Sequence, residues 1–589
     1  VHRAPSTRTP VDKRRNMAGV APTPTAMIPW VHVVSQPASL SEPSQNDVRC
    51  NDALIQVMLA EDLIPSEDES VRRVKALGKL NEIVAEFVRQ AFEKNGHGDQ
   101  YNDTTSFRLK TFGSYRLDVH LPGADMDTVM VVPKHVLRTD MFTILYVTMT
   151  QRPDIKNLIK VEEARVPVIK FEMDDFEFDL AMARLEGLSQ LPEDFDVTDD
   201  RHLKHVGDDA RSITSLNGVR VTDTIRNLVP TMDTLKYCIR ALKLWAKRRG
   251  VYKNVLGFLG GISIEIMAAR IGQLYPKALP SKLIYFFFYV YSNWKWPQPV
   301  GLTPINVSSC DLSLPVWMHS NEAQDRRHVM PIITPVFPAQ NATANVSKST
   351  LAVMKEEFER GREICKRIND GKANWEELFE PNDVFAKYSV FLQVNAFAPA
   401  QVPVDEKDPN SVTRTSTEYY DMWKGFCEAN IRAVVTYVEC FPDAYAELVH
   451  PFQRNFKRPR TDDENAPHEH LWYLGLKFNR EKMKADGKKA PNVTFPISQF
   501  RKRLMNWKNK KDGMELKITA PKRKDLPDFV LNPKDNDEEI ELKEESIEQQ
   551  LLTAAQKTGA DEDAEALLSE GTGGNSTGAA TKRAADETA

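Results

Sequence analysis

The sequence predicts an α+β fold in three consecutive parts, followed by an acidic tail. The chain has 589 residues, 41% hydrophobic and 27% charged, which is long enough for three domains plus tails. Strand-like runs rich in β-branched and aromatic residues lie between about residues 107 and 183. Helical patterns dominate from Asp233 to Glu380, and strands return after Asn382. We therefore expect two sheet-containing parts with a helical part between them.

The cysteine and hydropathy patterns argue against several classes of protein. Six cysteines are scattered without a Cys-x-x-Cys pair, which argues against a zinc site or a disulfide framework and indicates a reducing compartment. The most apolar run, Leu283 to Tyr291, is too short to span a bilayer, and we expect no signal peptide. The first 30 residues are rich in Pro, Thr and Ala without periodicity, and we predict that they are disordered.

A short stretch between Phe112 and Asp127 combines a turn with paired acidic residues. Gly113 and Ser114 predict a small flexible turn whose following backbone N–H groups would be free to hold a phosphate. Asp125 and Asp127 project to the same side at strand spacing and precede an apolar run that predicts a buried strand, residues 128–132. Two close carboxylates repel each other unless a cation lies between them, and Mg²⁺ or Mn²⁺ suits oxygen ligands. This layout is typical of nucleotidyl transfer.

A third carboxylate is predicted on a neighbouring strand. Residues 166–173 and 176–183 read as two strands joined at Asp174-Asp175. In the second strand, Asp179 lies opposite an apolar face, in the middle of an otherwise apolar run. Such an Asp is either solvent-facing or a ligand. Because a carboxylate pair lies upstream, we predict that Asp179 is a ligand.

Two amphipathic helices are predicted before and after these strands. Residues 70–92 have apolar residues at helical spacing, from Val71 and Val74 onward, and should pack on the sheet. Residues 233–249 carry a second apolar stripe. Lys243 lies off that stripe, and the residues alone favour a solvated lysine over a phosphate ligand.

The C-terminal part has alternating strand and helix signals and a divided charge. Residues 495–524 hold ten basic residues against two acidic ones, and residues 525–550 hold ten acidic residues against two basic ones. A basic run alone is usually a solvated surface, but beside aromatic residues it is also the footprint of an RNA backbone. The acidic stretch and the tail after it are predicted to be disordered. The candidate RNA contacts in the basic run are Arg501, Lys502, Arg503, Lys508, Lys510 and Lys511.

Three segments carry a resemblance to a known family. Phe112-Gly-Ser-Tyr-Arg-Leu, Pro122-Gly-Ala-Asp-Met-Asp and Val131-Val-Pro-Lys-His-Val are similar to segments of the eukaryotic nuclear poly(A) polymerases, of the DNA polymerase beta-like nucleotidyltransferase superfamily. The match runs from about Val34 to about Val530. The resemblance implies an active-site cleft between the two outer domains. It also implies a disordered tail (1–30), an N-terminal arm and nucleotidyltransferase domain with a mixed sheet (31–225), a helical middle domain (226–380), an RRM-like RNA-binding domain (381–530) and an acidic disordered tail (531–589).

The resemblance also implies an activity, the template-independent addition of AMP from ATP to an RNA 3′ end, as in mRNA polyadenylation. Two metal ions, Mg²⁺ or Mn²⁺, would be held by Asp125, Asp127 and Asp179, which are the expected catalytic residues. One ion would activate the RNA 3′-hydroxyl, and the other would hold the triphosphate. The implied nucleotide contacts are Phe112, Gly113, Ser114, Asp125, Met126, Asp127, Asp179, Lys243, Tyr252, Asn254, Gly261 and Ile262.

Individual roles follow from the same resemblance. Lys243 would touch the triphosphate, Tyr252 the base and sugar, and Asn254 the adenine edge. Lys170 would lie near the RNA primer end and the triphosphate. The implied partners are an RNA 3′ end, ATP and proteins of the cleavage and polyadenylation complex, with no membrane and a monomeric chain. Nuclear localisation is implied, with basic import candidates at residues 457–460 and 522–524.

The chain departs from the family pattern at three positions, and two alternative functions stay open. Asp118 replaces a usual Gly, Leu121 an often polar residue, and Leu259 a Pro of some members. Asp118 adds a negative charge near the phosphates, unless it points outward or joins the metal shell. A terminal transferase that adds uridine would share the three carboxylates, although Asn254 and the RRM-like domain favour adenine. A non-catalytic RNA-binding scaffold is the other alternative, and the intact carboxylates argue against it.

Overall fold

The computed structural model describes residues 36–162, 164, 166–310, 312, 314–319, 325–400, 416–458 and 467–531. The predicted N-terminal tail and nearly all of the acidic tail lie outside the described residues, as do Pro459 and Arg460 of one import candidate. Within the described ranges, no helix is long and apolar enough to cross a membrane.

The N-terminal unit is built on a five-stranded mixed sheet. Its strands are β1 (Arg108–Thr111), β2 (Met126–Pro133), β3 (Ile155–Val161), β4 (Val168–Met173) and β5 (Phe176–Leu185). Their order is β1-β2-β5-β4-β3, with β2 and β5 parallel and the other pairs antiparallel. Helix α1 (Gln45–Ala60) precedes this unit. The helices of the unit are α2 (Glu67–Lys94), α3 (Gly113–Arg116), α4 (Arg138–Asp140), α5 (Tyr146–Thr150) and α6 (Ala210–Leu228). A π-helix (Met141–Leu145) joins α4 to α5. This arrangement confirms the predicted mixed sheet.

The hairpin of β4 and β5 turns at the predicted Asp174-Asp175 pair. Both residues have positive φ, 52° and 65°, as in the type I′ turn that suits the twist of a two-residue hairpin. Asp tolerates this left-handed conformation better than most residues with a Cβ. The apolar face of β5, with Phe178 and Leu180, packs in one core with α2. The Asp179 face lies opposite.

The prediction for α2 is confirmed in its last five turns and wrong in its first two. Leu80, Val84 and Phe87 are buried against the sheet, whereas Val71 and Val74 are exposed. Arg73 takes the sheet-facing position instead and is fully buried, with its guanidinium 4.6 Å from the centroid of the Phe176 ring. The apolar stripe was therefore assigned the wrong phase because a charged residue occupies it.

The central unit is helical, as predicted. It comprises α7 (Met232–Arg248), α8 (Gly261–Leu274), α9 (Pro280–Ser292), α10 (Lys348–Asn369) and α11 (Glu376–Phe379). The N-terminal arm joins it, since α1 contacts α9 and α10 and Ala38 N donates to Leu274 O at 2.7 Å. The buried stripe of α7 is confirmed, and Gly250 with φ 67° ends it.

The C-terminal unit has the strand order of an RRM-like fold. After α12 (Val384–Lys387) come β6 (Phe391–Ala398), α13 (Ser416–Cys440), β7 (Ala446–Pro451), β8 (Phe456–Lys457), β9 (His468–Phe478), α14 (Arg480–Ala485), α15 (Thr494–Met505), β10 (Glu515–Thr519) and α16 (Asp528–Leu531). The main strands pair antiparallel in the order β10-β6-β9-β7. With β7 and β9 as second and third strands, this is a βαββαβ unit with order 4-1-3-2, and the predicted fold class is confirmed.

The buried cores are not divided one per unit. Two cores cover the two faces of the N-terminal sheet. A third, much larger core is continuous from α1, Leu117, Val119 and the second half of α6 through α7–α10 and the RRM-like sheet to Val530. The central and RRM-like units are therefore packed as one body.

Candidate active site

Three carboxylates meet at one end of the parallel pair β2 and β5. Asp127 lies in β2 directly opposite Asp179 in β5, and Asp125 precedes β2 by one residue. Each of the three offers an oxygen within 4.8 Å of the others. A parallel register thus achieves what the sequence predicted from spacing alone. Asp179 is buried, so the solvent-facing alternative for this residue is wrong.

Burial and mutual repulsion make the negative charge of this cluster unfavourable. Asp127 is 7% exposed and Asp179 is 4% exposed. Burial, and after it the charges of Asp125 and Asp179, raise the pKa of Asp127 well above its usual value. The Asp127 Oδ1 atom is buried and has no hydrogen-bond partner among the described residues. An unpaired buried carboxylate oxygen among hard oxygen donors fits a divalent cation such as Mg²⁺.

Lys170 supplies the positive charge nearest to the cluster. It faces Asp179 across the β4–β5 pair, and its Nζ lies 2.6 Å from Asp179 Oδ2. Burial raises the pKa of Asp179, and the Lys170 ammonium partly offsets that rise. The structure therefore brings Lys170 into the carboxylate cluster. Its predicted position beside an RNA primer stays a prediction.

The segment before β2 is fixed by close contact with Asp127. Gly113 has φ 63°, and a Cβ there would lie 2.4 Å from Asp127 Oδ2, so only glycine fits. Phe112 N donates to Asp127 O at 3.0 Å. The predicted flexible turn is instead the one-turn helix α3. Gly113 N donates to Thr222 Oγ1 at 3.1 Å, and the expectation that the N–H groups after the turn hold a phosphate stays a prediction.

A second group of predicted nucleotide residues gathers beside α7 and α8. Lys243 is buried, with Nζ 3.2 Å from Glu265 Oε1, so the solvated-lysine prediction is wrong. A Cβ on Gly261 would lie 3.4 Å from the Tyr252 hydroxyl and 3.8 Å from Lys243 Nζ. Helix α3, whose Gly113 abuts Asp127, also contacts α8, the helix that carries Gly261 and Glu265. The two groups therefore border one region.

Three other predicted nucleotide residues have less freedom to meet a ligand. The Asn254 amide already donates to Ala342 O at 2.6 Å and accepts from Asn345 Nδ2 at 2.9 Å. Met126 is buried in the sheet core shared with α2, so only its backbone faces the Asp127 side. Ile262 is partly buried against the central core.

The predicted RNA residues of the basic run lie on α15 and the loop after it. Arg501, Lys502 and Lys508 are exposed. Arg503 donates from Nε to Asn430 Oδ1 on α13 at 2.6 Å, and Lys511 Nζ lies 5.2 Å from the centroid of the Tyr419 ring. Lys510 is half-buried. The basic run is thus divided between exposed charges and side chains that join the fold.

The three departures from the family pattern have structural settings. Asp118 has φ 55°, which explains a usual glycine at this position. Its carboxylate accepts from Arg240 Nη2 at 2.9 Å and from Lys236 Nζ at 3.0 Å, so α7 compensates the added charge. Leu259 is fully buried and Leu121 partly buried in the large core.

Sequence reasoning missed four residues around the site: Glu265, Lys253, Glu428 and Asn345. Glu265 interrupts the apolar run from Ile262 to Met267, which is the same signal that identified Asp179. Lys253 pairs with Glu428 at 3.2 Å across 175 residues of sequence, and no local pattern indicates such a contact.

Comparison with known proteins identifies all three units. The family model of the poly(A) polymerase nucleotidyltransferase domain matches residues 34–229, that of the poly(A) polymerase central domain matches 234–381, and that of the poly(A) polymerase predicted RNA binding domain matches 457–539. The N-terminal unit with its carboxylate cluster is therefore a nucleotidyltransferase domain.

Curated relatives extend the match over most of the chain. "Poly(A) polymerase" of Dictyostelium discoideum is 37% identical over 85% of this chain and 60% of its own length. "Nuclear poly(A) polymerase 1" and "Nuclear poly(A) polymerase 4" of Arabidopsis thaliana are each 35% identical over 84% and 88% of this chain, and 66% of their own length. The chain belongs to the poly(A) polymerase family, and it spans less than two thirds of the length of these relatives.

Proposed function

We propose that the chain transfers AMP from ATP to the 3′ end of RNA without a template. The observation that carries the proposal is the cluster of Asp125, Asp127 and Asp179, of which Asp127 and Asp179 are buried, near the group formed by Lys243, Tyr252 and Gly261. A carboxylate cluster near a lysine that can exchange its carboxylate partner for a phosphate can position a triphosphate and a hydroxyl nucleophile together. The names of the curated relatives support adenine as the transferred base.

The proposed division of labour assigns each group one task. Asp125, Asp127 and Asp179 would hold two ions, Mg²⁺ or Mn²⁺, which when bound promote deprotonation of the RNA 3′-hydroxyl and neutralise the leaving pyrophosphate. Lys243 would leave Glu265 partly or wholly to bind the triphosphate. Tyr252 would contact the base and sugar, and Gly261 would let the backbone approach them. Ser114 and the residues after it, rather than Gly113, would offer backbone N–H groups to phosphate.

The wider biological setting is part of the proposal. We infer a nuclear, monomeric enzyme of mRNA polyadenylation that works with cleavage and polyadenylation proteins, with domain boundaries at 31–225, 226–380 and 381–530. Support comes from the relatives named nuclear poly(A) polymerases and from the matched RNA-binding domain.

A primer-extension assay tests the proposal. Purified protein is incubated with an oligo(A) primer and each labelled NTP in turn, with Mg²⁺ or Mn²⁺, beside an Asp179→Ala control. Extension with ATP alone, lost by about a thousandfold or more in the variant, is the expected result. Preferential extension with UTP would favour the uridylyl transferase instead. Absence of extension by wild-type protein that still binds RNA would favour the scaffold.

A further inference from the structure

Lys253 lies between Tyr252, which the proposed function assigns to the base and sugar, and Asn254, for which the family resemblance implies a contact with the adenine edge. Its backbone has φ 73° and ψ 95°, a conformation that residues with a Cβ rarely adopt. Such a residue persists only where surrounding contacts hold it, and it is a common feature of functional sites. The carbonyl of Lys253 accepts from Leu256 N and Phe258 N, both at 3.2 Å, so the residue organises the short loop that leads to Gly261.

The side chain of Lys253, a residue of the central unit, contacts the RRM-like unit. Its Nζ lies 3.2 Å from Glu428 Oε1 on α13. Lys253 is 7% exposed and Glu428 is 3% exposed, and Asn455 Nδ2 also approaches Glu428 Oε1 at 3.4 Å. In a buried ion pair, removal of one partner leaves the other charge uncompensated. The position of α13 therefore constrains the position of the 252–254 segment.

The same helix contacts the basic surface. Asn430, two residues after Glu428, accepts the 2.6 Å hydrogen bond from Arg503 of α15. Arg501 and Lys502 of α15 are exposed and are proposed RNA contacts. A continuous path of packed and hydrogen-bonded groups thus runs from α15 through α13 to Lys253. Such a path indicates a route for coupling, which only a measured coupling establishes.

We propose that α13 couples RNA binding to nucleotide binding, and that the Lys253–Glu428 ion pair is the positioning contact that transmits it. This inference rests on the proposed function, because it takes ATP and RNA as the two ligands. RNA held on α15 would fix α13, and the ion pair would then hold Tyr252 and Asn254 in the conformation that accepts the nucleotide. By linkage, RNA and nucleotide must strengthen each other's binding by the same factor.

The test measures binding rather than turnover. The Kd of a non-hydrolysable α,β-methylene ATP analogue is determined with Mg²⁺, with and without saturating oligo(A), and the ratio of the two values is the coupling. We expect RNA to tighten analogue binding at least about fivefold in the wild type. Lys253→Met, Lys253→Gly and Glu428→Gln should each bring the ratio to about one while the Kd for RNA alone stays near wild type.

The choice of variants separates coupling from folding. Lys253→Gly accepts the positive φ without strain, so its backbone should keep its path although the ion pair is lost. Glu439→Gln is the matched control, because Glu439 lies on the same helix and also bonds the central unit, accepting from Ser347 Oγ at 2.7 Å and Ser349 N at 2.8 Å, but makes no ion pair with Lys253. This control should keep the wild-type ratio. The double variant Lys253→Met with Glu428→Gln should give the same Kd ratio of about one as either single variant.

Three results would overturn the inference: a wild-type ratio of one, wild-type ratios in the Lys253 and Glu428 variants, or an equal loss of coupling in Glu439→Gln. Failure of the proposed function would look different. It would appear as absence of primer extension by the wild type, a measurement that does not enter the ratio.

Discussion

The Asp127 carboxylate is held where its charge is least favourable. Because its pKa is raised in the fold, the metal-free folded protein holds a proton there more tightly than the unfolded chain does. The stability from this group is therefore fully present below the ordinary Asp pKa of about 4 and is lost as pH rises through the raised pKa. A cation bound between the three carboxylates would offset this loss of stability.

We expect Asp127→Asn to stabilise the metal-free protein at neutral pH. The substitution removes the buried charge and its repulsion from Asp125 and Asp179. When a chelator keeps the protein metal-free, the thermal unfolding midpoint of the variant should exceed that of the wild type by a few degrees at about pH 7.5 and by less at about pH 5. Mg²⁺ should raise the midpoint of the wild type and leave the variant nearly unchanged. A variant that is less stable at every pH would contradict this account.

The Lys243–Glu265 pair gives a second prediction at the residue scale. Glu265→Gln leaves a buried ammonium uncompensated, which should lower the midpoint of the ligand-free protein. An incoming triphosphate would then restore the missing negative charge. The midpoint shift produced by the ATP analogue should therefore be larger in the variant than in the wild type. Equal shifts in the two proteins would show that Lys243 does not meet the triphosphate.

Asn345 allows a test of whether Asn254 reads the base. If Asn254 distinguishes adenine, its amide must be oriented, and Asn345 Nδ2 donates to its oxygen at 2.9 Å. Asn345→Ala and Asn254→Ala should then both reduce the preference for ATP over other NTPs, by about tenfold or more, without loss of RNA binding. The measurement is competitive incorporation of paired NTPs. Unchanged selectivity in both variants would assign the choice of base to other residues.

Whether a site residue could be predicted from the sequence depended on how its type differs from that of its neighbours. Asp179 was predictable because an acid stands out in an apolar strand, and Glu265 carried the same signal in an apolar helix. The residues alone favoured a solvated Lys243, because a helical stripe identifies one packed face whereas α7 is buried on several sides; only the family resemblance implied a nucleotide contact there. The Lys253–Glu428 contact depends on the packing of two units, which no local pattern contains.

At the scale of elements, the two faces of the RRM-like sheet differ. Tyr473 of β9 packs with Phe385 of α12 and with Phe456, at ring distances of 5.5 and 5.7 Å. The opposite side of β9 faces α13, where Tyr420 bonds His470 at 3.0 Å. The chain's own residues thus cover both faces, whereas RRM sheets usually stack bases on exposed aromatics. We therefore expect RNA along α15 rather than on the sheet.

Charge reversal on α15 and in the loop after it tests that expectation. Arg501, Lys502 and Lys508 are exposed, and reversing all three should weaken primer binding. If each touches a phosphate, the plot of log K against log salt should flatten by roughly two units, since each single-strand contact contributes about 0.7. Reversal of the exposed Lys482, Lys484 and Lys488 on the same unit is the control and should leave the slope unchanged. If the triple variant keeps the wild-type salt slope, the basic run is only a solvated surface.

Most elements followed from periodicity and turn residues. The β4–β5 hairpin lies where alternation and the Asp174-Asp175 turn predict it, whereas no strand was predicted at β7 or β8 of the RRM-like unit. The first turns of α2 did not, because Arg73 can bury its stem and stack on Phe176, and hydrophobic periodicity assigns no buried position to an arginine.

At the scale of the whole molecule, the sequence predicted three parts but not how they share cores. The large core joins the central helices to the RRM-like sheet, and polar contacts reinforce it: Val449 N donates to Ser349 Oγ at 2.9 Å and Asn382 N to Arg248 O at 2.9 Å. Packing between distant segments leaves no periodic signal. It is therefore a property that only the assembled fold displays.

This shared core predicts that the central and RRM-like units unfold together, separately from the nucleotidyltransferase sheet. Leu392→Ala removes a buried side chain of β6 and should cost about 2–5 kcal/mol. Because the core is continuous, native-state hydrogen exchange should accelerate in α7 and α10 as well as in β6 and β9, and remain near wild type in β2 and β5. Acceleration confined to residues 391–531 would show that the RRM-like unit opens independently, and that its contacts with α7–α10 are a docking interface rather than a common core.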